Sequence, residues 1–153
     1  MALDTDTTKD TEFVKFWNAV LEPKFTRYRH ILQGGLSRHS AAVLPRLPLD
    51  PGMAVLDVGC GWGDLSIQVA ERVGPEGRVL GIDCVEAFLE AARKDAAEAG
   101  MTNVEFRRGD AEVALPEAEF DYVVSRFGTM FFAHPVPALR RMRLSLKPGG
   151  RMT

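Results

Sequence analysis

The amino-acid sequence predicts a three-layer α/β/α fold in which a mainly parallel sheet lies between helices. From residue 51 onward, short apolar runs alternate with segments of helical periodicity, which is typical of βαβ units. The first apolar run, 55–58, leads into a loop with glycine at three alternate positions, 59, 61 and 63, and a helical pattern follows directly. Glycine in that place lets the main chain turn sharply and approach a ligand closely.

The alternating pattern assigns the elements of the core, residues 51–153, in chain order. Strands are predicted at 55–58, 79–82, 104–107 and 122–125. Helices are predicted at 64–73, at 86–99, where Gly100 ends the helix, and from Pro135 or Pro137 to about residue 146. Parallel strands end at one edge of such a sheet, so the residues that follow each strand are expected to meet there.

Residues 1–50 are predicted to form a helical prefix that precedes the sheet. A frayed tail covers 1–10, and an apolar stripe at helical spacing then begins after Thr11. Pro23 is expected to break or kink this helix, and the pair Gly34-Gly35 to end the second one. A third short helix is predicted over 37–44.

Composition and charge favour a globular cytoplasmic protein with no general affinity for nucleic acid. The 19 basic and 21 acidic residues leave a net charge of −2, which provides no general attraction for nucleic acid. No apolar run approaches the length of a membrane span, and the polar start from Met1 to Asp10 is unlike a secretory signal. The two cysteines, Cys60 and Cys84, are expected to be free thiols in a reducing compartment. No cysteine or histidine spacing typical of a metal site is present in the sequence.

The glycine loop differs from the dinucleotide-binding pattern in a way that predicts its ligand. Asp64 occupies the place where that pattern has its third glycine, and Asp57 lies on the other side of the loop. Acids beside a helix N-terminus disfavour a pyrophosphate. A ligand that carries an ammonium or a sulfonium group is therefore expected.

The loop and four later segments together resemble the class I S-adenosylmethionine-dependent methyltransferases, and most closely the small-molecule group that includes the ubiquinone and menaquinone C-methyltransferases. The segment at 55–64 resembles their first motif, and those at 79–83, 106–112, 120–127 and 146–151 resemble the later ones in order. The resemblance implies a Rossmann-like methyltransferase fold, S-adenosylmethionine as cofactor, S-adenosylhomocysteine as product and no metal.

The resemblance also implies the residues of the cofactor site. Asp83 would take the ribose hydroxyls, Asp110 the adenine amine, and Asp57 would orient the loop or attract the cofactor ammonium. The basic side chains of the prefix form either a solvated helix face or, by hypothesis, part of a lid, from which Tyr28 and His39 would reach the cofactor carboxylate. The whole implied set of cofactor-binding residues is Asp57, Gly59, Cys60, Gly61, Gly63, Asp83, Cys84, Asp110, Ala111, Ser125, Phe127 and Tyr28.

Two residues keep alternative interpretations. His134 is a candidate general base for methyl transfer, but a loop histidine before a helix is the commoner case. Arg126 either neutralises an acidic group of the substrate or forms an ion pair with Asp57 or Asp121.

The predicted function is methyl transfer from S-adenosylmethionine to a small-molecule acceptor. The alternatives are a cofactor-binding module that is inactive in this truncated form and a nicotinamide-dependent oxidoreductase on the same fold. The implied sheet has seven strands in the order 3-2-1-4-5-7-6, and the sequence stops as the fifth begins. Strand four, with its apolar residues 122–124, is therefore expected to be an open edge through which a homodimer would form.

Overall fold

The computed structural model describes residues 10–153, and the predicted tail at 1–9 lies outside them. Five parallel strands form one sheet in the order β3-β2-β1-β4-β5. This topology places β1 at the centre and reverses the chain order between β1 and β4, where open α/β sheets bind ligands. The strands are β1 Ala54–Val58, β2 Arg78–Asp83, β3 Val104–Arg108, β4 Phe120–Val124 and β5 Leu146–Met152.

Helices cover both faces of the sheet, which confirms the predicted three-layer fold. Alternate residues of β1 point to opposite faces, and all five are buried. Val55 packs with Val69 of α4 (Asp64–Val73) on one face, and Leu56 packs with Met142 of α6 (Pro135–Leu144) on the other. α5 (Glu86–Glu98) lies beside α4 and covers β3.

The predicted open edge at β4 is wrong, because β5 pairs with β4. Phe120 pairs with Leu146 and Tyr122 with Arg151, so one residue of β4 is opposed by residues 147–150 of a bulge. The segment interpreted as a turn before strand five therefore belongs to the strand itself. Within residues 10–153, no helix combines the length and the apolar character needed to cross a bilayer.

The prefix is helical, as expected, but its interruptions fall elsewhere. The chain stays helical through Pro23: α1 (Glu12–Phe16) continues into a π-helical turn at Trp17–Leu21 and then into α2 (Glu22–Arg27). Proline is tolerated there because it lies in the first turn of α2, where its missing N–H is not required. The break comes at Tyr28, with φ −109° and ψ 18°.

The glycine pair likewise does not end a helix. α3 runs from Arg29 to Val43 through Gly34 and Gly35, and a short 3₁₀ turn at Leu44–Arg46 follows. An added Cβ would meet no atom within 4 Å at either glycine, and helical backbone is available to them although glycine favours it weakly. The predicted second and third helices are therefore one.

Side-chain contacts hold the prefix across the carboxyl edge of the sheet. The hydroxyl of Thr11 donates to Asp110 Oδ2 at 3.0 Å, and the amide of Asn18 donates to the Cys84 carbonyl at 3.2 Å. Trp17 is buried in a cluster with Trp62 of the glycine loop. The prefix thus forms one wall of whatever site the strand ends create.

Candidate functional site

A cavity lies between the carboxyl edge of the sheet and the helical prefix. Its floor comes from the loop after β1 and the residues directly after β2, β3 and β4. The opposite side, which we call the aromatic wall, comes from the prefix and from residues 131–132. The residues that line it are Phe13, Trp17, Phe25, Leu36, Gly59, Cys60, Gly61, Trp62, Asp64, Ile82, Asp83, Cys84, Phe88, Gly109, Asp110, Ala111, Arg126, Phe127, Gly128, Phe131 and Phe132.

The three loop glycines have positive φ values but different surroundings. A Cβ on Gly59 would lie 3.1 Å from Gly128 Cα, so this residue lets the loops after β1 and β4 approach each other. A Cβ on Gly61 would meet no atom within 4 Å, which leaves room for a ligand beside the main chain. Gly63 instead packs against Phe106, whose Cζ would lie 2.6 Å from an added Cβ, and it does not line the cavity. In the structure Gly63 thus packs between helix and sheet, and its cofactor role stays a prediction.

Asp83 connects the first two strand ends. Its Oδ2 accepts the Gly61 N–H at 2.9 Å and its Oδ1 accepts the Val85 N–H at 3.0 Å. Burial raises the pKa of this carboxyl, while the backbone donors act in the opposite direction. Each carboxylate oxygen can accept more than one hydrogen bond, so both oxygens can also accept hydroxyl groups of a ligand.

Asp57 lies beneath the loop and not in the cavity wall. It is 1% exposed and accepts the Ser66 hydroxyl at 2.6 Å. Burial raises its pKa to about 7, although the Ser66 hydrogen bond and the charge of Arg126 lower it. Its position allows it to orient the start of α4 and to act on a ligand through its charge rather than by contact.

Asp110 and its neighbours form the third strand end. Asp110 Oδ1 accepts the Glu112 N–H at 2.8 Å, and Asp110 Oδ2 holds Thr11 of the prefix. Ala111 is buried and lines the cavity beside it. The two cysteines, Cys60 and Cys84, are free, and burial raises the pKa of the first well above its usual range and of the second to about 12. Protonated thiols at these positions serve as apolar wall.

Arg126 has a partner that the sequence interpretation missed. Its side chain is 8% exposed, and it forms an ion pair with Asp64 at 2.7 Å and donates to Ser40 Oγ at 2.6 Å. The predicted pairing with Asp57 or Asp121 is wrong, because Asp121 instead accepts from the Ala54 N–H and from Lys147. Ser40 belongs to α3, so Arg126 joins the prefix to the first turn of α4.

The other predicted residues after β4 divide into two groups. Ser125 donates its hydroxyl to the Val58 carbonyl at 2.7 Å and lies outside the cavity lining. Phe127 lines the cavity with φ +60°, a backbone conformation that costs energy for a side chain of this size. Its ring packs edge-to-face on the His39 ring, with 5.1 Å between the ring centroids, so that histidine already has a partner within the protein.

Tyr28 and His134 are both outside the residues that line the cavity. Tyr28 is 48% exposed beside the Arg27 guanidinium. The side chain of His134 is 57% exposed, and its Nδ1 lies 3.1 Å from Glu112 Oε2. The catalytic role of His134 stays a prediction.

Sequence reasoning missed the aromatic wall. Phe13, Trp17 and Phe25 were interpreted as part of a core stripe, since helical spacing alone does not separate a core from a ligand wall. In the structure Trp17 packs edge-to-face on Phe25 at 5.2 Å and on Phe131 at 5.0 Å. Residues 10–153 contain no group of three or more histidine, cysteine or acidic side chains placed to hold a metal.

The family of the chain follows from comparison with known proteins. Residues 49–153 match a family model described as a methyltransferase domain. A demethylmenaquinone methyltransferase of Listeria monocytogenes is 35% identical over 147 residues, which cover 95% of this chain and 62% of that protein. The chain thus spans about three fifths of the length of that relative.

One further relative and one solved structure are also similar to this chain. Nocamycin O-methyltransferase of Saccharothrix syringae is 44% identical over 104 residues, covering 67% of this chain and 37% of that protein. The crystal structure of a SAM-dependent methyltransferase from Aquifex aeolicus superposes with a TM-score of 0.66 at 29% identity, over 71% of this chain and 58% of that one. None of these matches supports the oxidoreductase alternative.

Proposed function

Because the chain belongs to the S-adenosylmethionine-dependent methyltransferases, we propose that it transfers the methyl group of S-adenosylmethionine to a small-molecule acceptor. One observation carries the proposal. A single cavity brings together the open backbone at Gly61 and the carboxylates of Asp83 and Asp110, opposite an aromatic wall. The first three features suit the cofactor, and the wall suits an apolar acceptor.

The charges of the site favour this cofactor. Asp64 is paired with Arg126, but Asp57, Asp83 and Asp110 have no basic side chain among their hydrogen-bonding partners within residues 10–153. A cation that binds here supplies a counter-charge to one buried and two half-buried carboxylates, which raises its affinity. The ammonium and sulfonium groups of S-adenosylmethionine are such cations.

Each strand end would then hold one part of the cofactor. The two oxygens of Asp83 would accept the ribose hydroxyls, and Asp110 would accept the adenine amine in place of the Thr11 hydroxyl. The main chain at Gly59–Gly61 would lie against the methionine portion. Asp57 would act on this portion through its charge from below the loop.

Bound S-adenosylmethionine supplies a methyl group on a sulfonium, which is a good leaving group. The residues of the chain need only exclude water and hold the acceptor in line with that methyl, which is catalysis by proximity. Phe13, Trp17, Phe25 and Phe131 would hold a flat apolar ring by edge-to-face contacts. Both relatives above are named for methylation of small molecules, demethylmenaquinone and nocamycin.

The prefix would act as a lid, since Thr11, Asn18 and Ser40 reach the strand ends from its helices. We propose a cytoplasmic location, which is supported by the two free cysteines at 60 and 84. A homodimer stays a prediction as well, and its sheet edge would be β5 instead of β4.

Calorimetric titration with S-adenosylhomocysteine tests the proposal. We expect the wild-type chain to bind, and Asp83→Asn to weaken binding by at least about tenfold, because a neutral amide accepts fewer hydrogen bonds. Asp50→Asn is the matched control: it removes an exposed carboxyl before β1, at the opposite end of the sheet. Its affinity should equal that of the wild type.

Turnover is then assayed by mass spectrometry with a panel of phenols, hydroquinones and amines. Binding without turnover on any acceptor would favour the inactive binding module. The proposal would be overturned if a folded wild-type chain did not bind S-adenosylhomocysteine, or if it bound NAD tightly.

A further inference from the structure

Glu112 is a buried carboxylate to which the catalytic proposal assigns no role. Its side chain is 8% exposed and stands two residues after Asp110 on the turn that follows β3. Its two oxygens accept backbone N–H groups from a segment more than twenty residues further along: Oε1 accepts that of Ala133 at 2.7 Å, and Oε2 that of His134 at 2.6 Å. A buried carboxylate with several donors is a strong and geometrically specific contact.

The segment that Glu112 holds carries part of the aromatic wall. Phe131 and Phe132 both line the cavity and immediately precede Ala133. The ring of Phe131 packs edge-to-face on Trp17 at 5.0 Å. Few other hydrogen bonds fix this segment, since Phe131 and Phe132 donate only within their own short turn, to Gly128 and Thr129. Glu112 therefore accepts the long-range backbone hydrogen bonds of this segment.

The turn after β3 thus holds two parts of the site at once. Asp110 receives Thr11 of the prefix and is the residue proposed to bind adenine, whereas Glu112 receives the backbone of the wall. The Asp110 carboxylate also accepts the Glu112 N–H, so the Asp110 side chain is fixed to the backbone that carries Glu112. Binding of the cofactor at Asp110 would in this way also order Phe131 and Phe132.

We propose that Glu112 is a positioning residue for methyl transfer, because it sets the direction of Phe131 and Phe132 relative to the cofactor-binding turn. The proposal rests on the function proposed above. It does not require Glu112 to touch either the cofactor or the acceptor. The contact of its Oε2 with His134 Nδ1 at 3.1 Å makes His134 a second partner of the same carboxylate.

The test compares Glu112→Gln with Glu105→Gln by hydrogen–deuterium exchange of the full chain, with and without S-adenosylhomocysteine. The glutamine side chain of the first variant offers one oxygen to the two backbone donors, and its amide group opposes the other donor. We expect exchange of the amides of residues 131–134 to accelerate by about tenfold, while affinity for S-adenosylhomocysteine stays within about threefold. Glu105 carries the same charge on exposed β3, where it pairs with Arg107, so its variant should leave exchange at 131–134 unchanged.

Turnover gives a second readout on a dihydroxynaphthalene probe. A positioning role predicts that kcat/KM for the probe falls about tenfold in Glu112→Gln at saturating cofactor. A fall of kcat/KM in Glu112→Gln with exchange at 131–134 unchanged would assign the effect to the contact of Glu112 with the His134 ring, and would overturn the proposal.

Two other outcomes would also overturn it. Unchanged exchange at 131–134 would show that the wall is held without Glu112. A loss of S-adenosylhomocysteine affinity as large as the loss of turnover would show a general structural role. Failure of the wild type to bind S-adenosylhomocysteine would instead refute the proposed function, and the exchange difference measured without ligand would still decide the role of Glu112.

Discussion

The two sides of the cavity are built in different ways. On the sheet side, the loop after β1 is fixed by backbone groups: Gly59 and Cys60 both donate to the Ile82 carbonyl, and Gly61 donates to Asp83. On the prefix side, single side-chain hydrogen bonds such as Thr11 to Asp110 join distant segments. The sheet side therefore tolerates little change. The prefix side is joined to it through single side-chain bonds, so its acceptor contacts can vary more readily.

The largest expected effect concerns Asp57, whose carboxyl is buried beneath the loop on the sheet side of the cavity. Burial raises the pKa of Asp57 from 3.8 to about 7 in the folded chain, so the folded state binds this proton more tightly than the unfolded state. The contribution of Asp57 to the free energy of unfolding should thus be fully present below pH ~4 and decrease as the pH rises through 7, by at most about 4 kcal/mol.

Asp57→Asn should remove that decrease, which is measured by urea unfolding at several pH values between 4 and 8. The raised pKa of Asp83 acts in the same direction and leaves a smaller slope in the variant. A variant as pH-sensitive as the wild type would contradict the assignment to Asp57.

Substitutions at the loop glycines separate the effect of packing from that of backbone strain on the sheet side of the cavity. Gly63→Ala forces a Cβ to within 2.8 Å of both Phe106 and Ala92 at a φ of +74°. We expect a loss of about 3 kcal/mol in the free energy of unfolding, from overpacking and backbone strain together. Gly61→Ala is the matched control: it has the strain alone, about 1 kcal/mol, since its Cβ meets open space. Equal losses in thermal unfolding would contradict the packing role of Gly63.

Arg126 tests how the two sides are joined. Arg126→Met leaves Asp64, whose side chain is 22% exposed, without its ion-pair partner and removes the bond to Ser40. We expect a loss of about 2 kcal/mol and faster proteolysis within α3, because an unpaired, mostly buried charge is costly. Arg107→Met, which breaks an exposed pair with Glu105, should cost no more than about 0.5 kcal/mol. Unchanged proteolysis of α3 in the first variant would show that the prefix is held by other contacts.

The smallest expected effect is a gain of stability in the prefix. Gly34→Ala and Gly35→Ala lie in the middle of α3, and an added Cβ meets no atom within 4 Å at either position. Each change should stabilise the chain by roughly 0.5–1 kcal/mol, since alanine loses less backbone entropy in a helix. Thermal denaturation measures this, and destabilisation would show that α3 is not continuous through the pair.

How well the position of a residue could be predicted depended on whether nearby or distant segments of the chain determine that position. Asp83 was predicted as the acid at the end of the second strand, and it lines the cavity because parallel strands end at one edge. Arg126 was given the wrong partners, because 62 residues separate it from Asp64 and 86 from Ser40. Pro23 and Gly34 were given too much weight as helix breakers, since Pro23 falls in the first turn of α2 and helical backbone is available to Gly34.

The succession of strands and helices, the layered fold and the glycine-rich and acidic strand ends could all be predicted from the sequence, because apolar periodicity and turn chemistry are local properties of the chain. The pairing of β5 with β4, the packed surroundings of Gly63 beside the open space at Gly61, and the hydrogen bonds of Glu112 to residues 133 and 134 are visible only in the folded structure. These contacts join segments far apart in sequence, and their energies depend on side-chain distances that exist only after the sheet and the prefix have come together.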